Sequence, residues 1–353
     1  MPVGSSKGAE MKPAKPGPRT YNQIHAPRKY AAGRRRVSIY VGWSYPGEVN
    51  QDVTVLDNRY STMTEVRRVE WPRWEWADAM TFPQSIAGSL ELFFRAWMPF
   101  QQLAYEATGQ RVPVFQRVDQ AGYQLPLDER VLADVDTLLV FGLDILRAEQ
   151  EAAPEEIEAV RQFLRREGTC LIIGPHHDIG RSEDLAEREE EYLHHGDRLV
   201  PRQQRFGMYT RSLMTGLGVP VINRWGLHPA TAGDTNEIAP LSIARDLDTR
   251  GWLTGVTSFN LHAHLPHYAL TTRDTKHIHV LARQPIDLSR PHPFTRAGNR
   301  ELNAFVWMPP SGARAGDVLL VDSTVFSTLF GVSDSMKRFW LNITKGGGAK
   351  RHA

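Results

Sequence analysis

Histidine clusters are the features of this 353-residue chain whose residue types and spacing best suit chemistry. The first cluster, His176-His177-Asp178, directly follows the apolar run 170–174. Imidazole is a common metal ligand and titrates close to neutral pH, so such a cluster can bind a metal ion or transfer protons. We predict catalytic roles for His176, His177 and Asp178. The alternative is a polar loop in which the aspartate only caps the backbone.

A second cluster reads His262-Ala-His264-Leu-Pro-His267 and is followed by His277 and His279. Residues two apart on a β-strand share a face, so each His-x-His pair can present two imidazoles to one ion. Three such ligands and an open position would form a catalytic site for a divalent transition metal, with zinc expected and iron, manganese or nickel as alternatives. The predicted metal ligands are His177, His228, His262, His264 and His267. The competing interpretation is a set of surface histidines on a β-hairpin, or a tight polar cluster.

Apolar runs and turn residues predict the elements that position these side chains. The runs at 137–142 and 170–174 have the composition of strands buried on both faces. Between them, 154–168 starts with proline and acids and ends with arginines and glycine, which is typical of a helix. This βαβ unit predicts a right-handed crossover and a parallel sheet. Further strands are expected at 37–43, 112–118, 219–222, 255–261, 277–283, 303–308 and 317–322, and helices at 84–108, 208–217 and 323–330.

Open α/β sheets bind ligands beyond the carboxyl ends of their strands. Asp322-Ser323 belongs to that edge, where we expect an ordinary helix cap and not a nucleophile. His194-His195 lies in the charged stretch 181–205 and is predicted to sit in a solvated loop. The residues predicted to line a ligand pocket at the edge are Trp43, Ser44, Tyr45, Asp144 and Arg224.

Composition limits the class of protein. The chain is 41% hydrophobic and 23% charged, which is ordinary for a globular protein. No apolar run reaches the roughly 18–20 residues of a membrane-spanning helix, so no membrane partner is expected. The single cysteine, Cys170, excludes an internal disulfide and predicts a reducing, cytoplasmic location. Walker and dinucleotide-binding motifs are absent from the sequence, so no nucleotide cofactor is expected.

Charge divides the chain into a body and two tails. Residues 1–36 carry nine basic side chains and one acidic side chain, and 345–353 add three basic ones. We predict a disordered basic N-terminal tail at 1–36 and a flexible basic tail at 345–353. The N-terminal tail is interpreted as a solubilising extension, or as a contact with an acidic surface or nucleic acid. The remaining residues, 37–344, are predicted to form one α/β domain with insertions at 50–83 and 181–205.

Several phrases of the sequence resemble a known superfamily. They are DVDTLLVFG at 134–142, FLRREGTCLIIG at 163–174, and HPFTRAGN, NAFVWMPP and GDVLLVDSTVFS within 292–327. This block resembles the class I glutamine amidotransferase-like superfamily, and more narrowly its non-amidotransferase members such as the trehalose-utilisation-type proteins. The resemblance implies a three-layer α/β sandwich with a mainly parallel, flavodoxin-like central sheet, here with a β-rich insertion.

Amide-transferring members of that superfamily carry a cysteine nucleophile on a sharp turn after a core strand. In this chain the corresponding turn reads Pro175-His176-His177, and Cys170 stands at the opposite end of the strand. We expect Cys170 to be buried and inert. The resemblance therefore implies the fold and not the amide-transfer reaction.

Two functional hypotheses follow. The first is a metal-dependent enzyme, a hydrolase acting on a small molecule, with the histidines gathered at the sheet edge. The second is a non-catalytic relative that binds a small ligand or a protein partner. Either protein could form a homo-oligomer. The fold alone does not decide between them.

Overall fold

A computed structural model describes residues 34–44, 46, 82–119, 121–144, 150–196, 204–233, 237–260, 262 and 264–348. Most of the predicted tail 1–36, most of the insertion 50–83, Tyr45, and residues 349–353 of the second tail lie outside these ranges.

The described chain contains both strands and helices. The strands are β1 (Val37–Ser44), β2 (Val114–Val118), β3 (Thr137–Gly142), β4 (Cys170–Pro175), β5 (Asp178–Ile179), β6 (Gln204–Arg205), β7 (Val221–Leu227), β8 (Ser242–Ile243), β9 (Leu265–Leu270), β10 (His279–Pro285), β11 (Glu301–Met308) and β12 (Asp317–Leu320). The helices are α1 (Phe82–Thr108), α2 (Glu129–Leu132), α3 (Pro154–Arg165), α4 (Leu185–His195), α5 (Met208–Gly216), α6 (Pro293–Arg296) and α7 (Asp334–Lys345), with a 3-10 turn at Ser323–Phe326.

Eight of these strands form one large sheet in the order β2-β1-β3-β4-β12-β11-β10-β8. The five strands from β2 to β12 run parallel, and β11, β10 and β8 extend the sheet in antiparallel fashion. The predicted α/β class with a mainly parallel sheet is therefore confirmed. Two small antiparallel sheets, β5-β6 and β7-β9, lie beside it.

Helices cover both faces of the large sheet because its central strands are apolar on both sides. On one face, Trp97 and Phe100 of α1 and Trp340 of α7 pack in a core with alternate residues of β1, β3 and β4. On the other face, Phe163 of α3 and Leu213 of α5 pack with the intervening residues of the same strands. Helices thus pack against both faces of the sheet. The carboxyl ends of its strands are therefore held in place.

The ends of α3 and α4 follow from their sequences. Pro154 and Glu155 open α3, where a missing N–H and a negative charge both suit the first turn. The Asp184 side chain accepts a hydrogen bond from the Glu187 N–H and caps α4. Gly196, with φ of 100°, ends α4 in the left-handed conformation that glycine adopts without strain.

Two predicted elements differ from the structure. The strand expected at 255–261 is wrong, because Gly251 and Gly255 adopt left-handed φ angles of 70° and 72° and the chain turns there. The helix expected at 323–330 is a single 3-10 turn, Ser323–Phe326. Within the described ranges, none of the helices has both the length and the apolar character that crossing a bilayer requires.

Candidate metal centre

Six potential metal ligands meet at the carboxyl edge of the sheet. His176 and His177 follow β4, and Asp322 follows β12, the parallel neighbour of β4. The segment ahead of β9 carries His262 and His264, and His195 is the last residue of α4. The six donors form two groups, which we call the three-histidine triad (His177, His195, His264) and the carboxylate triad (His176, His262, Asp322). Within each triad the donor atoms lie within 4.8 Å of one another.

Ring nitrogens of the three-histidine triad lie close to one another. The Nε2 atoms of His177 and His195 are 3.2 Å apart. Nε2 of His264 lies 2.8 Å from the His195 carbonyl oxygen and must donate to it, because a carbonyl can only accept. That bond leaves Nδ1 of His264 unprotonated and free to act as a ligand. A ligating histidine commonly donates its other N–H to a backbone carbonyl in this way.

The carboxylate triad is centred on Asp322. Nδ1 of His176 lies 3.2 Å from Oδ1 of Asp322, and Nδ1 of His262 lies 3.3 Å from Oδ2. The Thr324 hydroxyl donates to Oδ2 at 2.8 Å, and the Thr324 N–H donates to Oδ1 at 3.3 Å. The predicted capping role of Asp322 is confirmed, and the same carboxylate also contacts two imidazoles.

Each of two chain segments supplies one histidine to each triad. His176 and His177 are adjacent, and their rings are tilted by 67°, with centroids 4.2 Å apart. His262 and His264 precede β9 and are not part of a strand. The prediction that this His-x-His pair shares a strand face is therefore wrong. Their rings are tilted by 66° and are directed to different triads.

Hydrogen bonds to main-chain carbonyl oxygens fix the turn that carries His176 and His177. The Tyr268 hydroxyl donates to the Pro175 carbonyl at 3.2 Å. The Asn223 side-chain amide donates to the His176 carbonyl, and the Phe206 N–H donates to the His177 carbonyl at 3.3 Å. These bonds use only main-chain oxygens of the turn. These three hydrogen bonds therefore hold the turn in place and occupy none of the ring nitrogens of His176 and His177.

Gly226 lets the backbone of β7 approach the three-histidine triad. A Cβ at this position would lie 3.0 Å from Cδ2 of His195 and 3.2 Å from Cδ2 of His177. The β7–β9 ladder shifts register between Arg224 and Gly226, and the intervening Trp225 has a φ of 48°. Such a bulge re-aims side chains beside functional sites. Glycine thus allows this close approach, and a larger residue would displace the two imidazoles by a few tenths of an ångström.

The site is buried and bordered by aromatic rings, and two of its histidines are partly exposed. His177 and His262 are 1% and 2% exposed. Phe206 packs 4.9 Å from the ring of His177, and Phe330 packs 4.1 Å from that of His262. His176 and His264 are partly exposed.

Burial sets the protonation of these groups. Burial, together with the neighbouring histidines, holds the pKa values of His177 and His264 well below the ordinary value. Burial lowers the pKa of His262 to about 4, although Asp322 opposes the shift. Burial alone would raise the pKa of Asp322, but His176 and His262 outweigh it and hold that pKa well below its usual range. At neutral pH the imidazoles of His177, His262 and His264 are neutral and Asp322 is ionised. These are the protonation states that metal binding requires.

The ligand separations are close to those that a metal ion imposes on its ligands. Two nitrogen ligands about 2.0–2.1 Å from a tetrahedral ion lie roughly 3.3–3.4 Å apart. The shortest separations, 3.2 Å between His177 and His195 and 3.2–3.3 Å from Asp322 to its imidazoles, are close to this value. Both triads could therefore hold a metal ion.

The other predicted ligands, His228 and His267, lie outside both triads. Nδ1 of His228 donates to the Pro229 carbonyl at 3.2 Å. Nδ1 of His267 accepts from the Asn303 N–H at 3.1 Å, and burial lowers the pKa of His267 to about 4. In both rings Nδ1 forms a hydrogen bond with a backbone group.

Asp178, predicted to be catalytic, lies close to two arginine side chains. Its carboxylate lies 3.7 Å from Nη1 of Arg211 and 4.0 Å from Nε of Arg205. It is 2% exposed and begins β5, which pairs with β6. The structure thus places Asp178 in a buried ion pair beside the site.

The predicted pocket-lining residues are dispersed. Trp43 is buried in the core, where its ring lies 6.0 Å from Phe93, and Ser44 ends β1 opposite Val118. Asp144 accepts from the Tyr209 N–H at 2.9 Å. The Arg224 guanidinium lies 5.8 Å from the Trp225 ring. Tyr45 lies outside the described residues.

Sequence reasoning missed His195. The prediction of a solvated loop for His194-His195 is wrong, because both residues are buried at the end of α4. His194 donates from Nδ1 to the Arg290 carbonyl and accepts from the His228 N–H on Nε2. Glu191, Tyr192 and His195 recur at helical spacing on one buried face, which is the sequence signal that could have placed His195 inward.

His292, which packs near His194, should make stability depend on pH. Its Nδ1 accepts from the Phe294 N–H at 3.0 Å and caps α6, and burial lowers its pKa to about 3. Because an unfolded histidine titrates near 6.5, the full contribution is present above pH 6.5 and is lost as pH falls toward 3. The loss attributable to His292 reaches on the order of 4 kcal/mol.

Urea unfolding at pH 7 and pH 4.5 tests this expectation in a His292→Asn variant. Asparagine keeps a capping acceptor but does not titrate. The variant should lose less free energy of unfolding on acidification than the parent. Equal losses in the two proteins would show that His292 does not contribute.

Comparison with protein-family models and with curated proteins found no relative of this chain. No protein-family model matches the sequence, and a search of curated proteins finds no significant match. The functional conclusion therefore depends on the geometry of the site.

Proposed function

We propose that this protein is a metal-dependent hydrolase that acts on a small molecule. The observation that carries the proposal is the three-histidine triad, in which the Nε2 atoms of His177 and His195 are 3.2 Å apart beside His264. Three protein ligands and one open position are characteristic of catalytic zinc sites, whereas structural sites are closed by four. Zinc is the expected metal, because imidazole nitrogens suit it.

The roles of the chain's own residues follow from the donor set. His177, His195 and His264 would hold the ion, and a metal ion in such a site supplies hydroxide at neutral pH by lowering the pKa of a bound water. The His195 carbonyl orients His264. Phe206 and Phe330 limit access of bulk water, while the partly exposed His176 and His264 border the approach of the substrate.

The architecture is consistent with the proposed location of the site. The strand order β2-β1-β3-β4-β12 corresponds to the 2-1-3-4-5 order of flavodoxin-like sheets, in which ligands bind beyond the carboxyl ends of the strands. We infer a three-layer sandwich related to the glutamine amidotransferase-like superfamily. The usual nucleophile is not at the turn after β4, and burial raises the pKa of the Cys170 thiol. This supports chemistry that does not use a cysteine.

Metal removal and reconstitution test the proposal. Hydrolysis of p-nitrophenyl acetate and p-nitrophenyl phosphate would be measured on the purified protein, after treatment with a chelator, and after addition of zinc, manganese, iron or nickel. We expect hydrolysis of at least one ester, its loss on chelation, and its recovery with one metal, zinc foremost. Hydrolysis that is insensitive to chelation would contradict the proposal. A protein that takes up no metal would instead support a non-catalytic binding role.

A further inference from the structure

We propose that the carboxylate triad binds a second divalent metal ion, so that the site is a binuclear centre. This inference rests on the proposed function, because it adds a second ion beside the one assigned to the three-histidine triad. Its donors are Nδ1 of His176, Nδ1 of His262 and the carboxylate of Asp322. Two histidines and one carboxylate, with further positions open, form a recurrent binding site for divalent iron and related metals.

The distances around Asp322 place three donors close enough to share one ion. Both imidazoles present Nδ1 to the carboxylate, at 3.2 and 3.3 Å. Ligands on one tetrahedral ion are held roughly 3.3–3.4 Å apart. The observed separations therefore fit donors arranged around a common centre.

The surroundings of Asp322 resemble the outer shell of a metal ligand. The carboxylate accepts from the Thr324 hydroxyl at 2.8 Å and from the Thr324 N–H at 3.3 Å, and the Ser323 hydroxyl lies 3.4 Å from Oδ1. Ligating carboxylates are themselves hydrogen-bonded, which fixes their orientation. Asp322 is 2% exposed, so it is held in place by these contacts and by the two histidines.

The two triads are close enough to act on one substrate. His176 and His177 are consecutive, with ring centroids 4.2 Å apart, and the rings of His262 and His264 are 5.3 Å apart. Two-metal hydrolytic sites use one ion to stabilise the attacking oxygen and the other to stabilise the leaving oxygen. Because the carboxylate triad contains an anionic oxygen donor and the other triad contains only imidazole nitrogens, the two positions should differ in metal preference. The carboxylate triad should accept manganese or iron more readily.

Metal stoichiometry tests the second site separately from the first. The full chain would be stripped with a chelator, reloaded with zinc alone or with zinc followed by manganese, and analysed by elemental mass spectrometry. We expect two equivalents of metal in the parent protein. Asp322→Asn should retain one equivalent, because the amide keeps an acceptor for Thr324 but binds metal poorly. His177→Gln should also retain one equivalent, held by the carboxylate triad.

Two further variants keep the test decisive. His176→Gln removes a donor of the carboxylate triad without touching the Thr324 contacts, so it should also bind one equivalent even where Asp322→Asn fails to fold. His277→Gln changes an exposed histidine and should retain two equivalents. One equivalent in the parent, unchanged by Asp322→Asn and abolished by His177→Gln, would overturn the second site and leave the hydrolase proposal intact. A parent protein without metal would overturn both.

Discussion

His177→Gln should abolish hydrolysis and weaken zinc binding at the three-histidine triad more than about 100-fold. Loss of an outer-shell partner typically costs about 10–100-fold in metal affinity, and loss of a ligand costs more. His177 is fully buried and its Nε2 faces that of His195. Glutamine preserves the backbone hydrogen bond from the Phe206 N–H to the His177 carbonyl, so the turn should keep its conformation. Zinc affinity, by competition with a chromophoric chelator, and ester hydrolysis provide the measurements.

The matched control is His277→Gln, in which the same substitution is made at an exposed histidine. This variant should keep the zinc affinity and hydrolytic rate of the parent. Parental activity in His177→Gln would show that the triad is not where the reaction occurs. Circular dichroism on both variants separates loss of the site from loss of the fold.

Glu156→Gln should lower the free energy of unfolding by about 3 kcal/mol, because it leaves the partly buried Arg117 without its counter-ion. Glu156 is 1% exposed, and its carboxylate lies 3.0 Å from Nη2 of Arg117. It also accepts from the Leu127 N–H and the Tyr209 hydroxyl at 2.9 and 3.0 Å. Burial alone would raise the pKa of Glu156, but Arg117 outweighs it, so the group is ionised in the folded protein.

Urea unfolding at pH 7 measures this effect, and Glu158→Gln on the same helix is its control. Glu158 forms an ion pair with Arg161 in which both side chains are about half exposed. Exposed pairs contribute little, so this variant should unfold at the same urea concentration as the parent. Equal stability of the two variants would mean that the Glu156 network does not hold α3 to the sheet.

Most of the central sheet could be predicted from the sequence, because its strands are short apolar runs between turn residues. Residues 137–142 and 170–174 are buried on both faces, so their apolar residues form continuous runs. Such runs can be recognised in the sequence without knowledge of tertiary contacts. The segment 255–261 has similar residues but contains turns at glycines with left-handed φ angles. Composition does not reveal such a turn, because glycine is also compatible with strand ends.

The site was predicted in part, and the missing part depends on tertiary contacts. His176, His177 and Asp322 follow neighbouring parallel strands, so the topology rule places them at one edge. His195 lies in a charged helix, and its burial depends on packing against β7, where Gly226 leaves room for its ring. The separation of His262 from His264 arises because they lie before β9 and not on it. Local spacing cannot supply that information.

Anomalous diffraction from crystals grown with zinc tests the central claim most directly. The triad account predicts a peak at the zinc absorption edge bonded to His177, His195 and His264, with zinc–nitrogen distances of about 2.0–2.1 Å. A crystal in which zinc occupies only exposed histidines such as His277, while the triad rings keep their direct contacts, would contradict it.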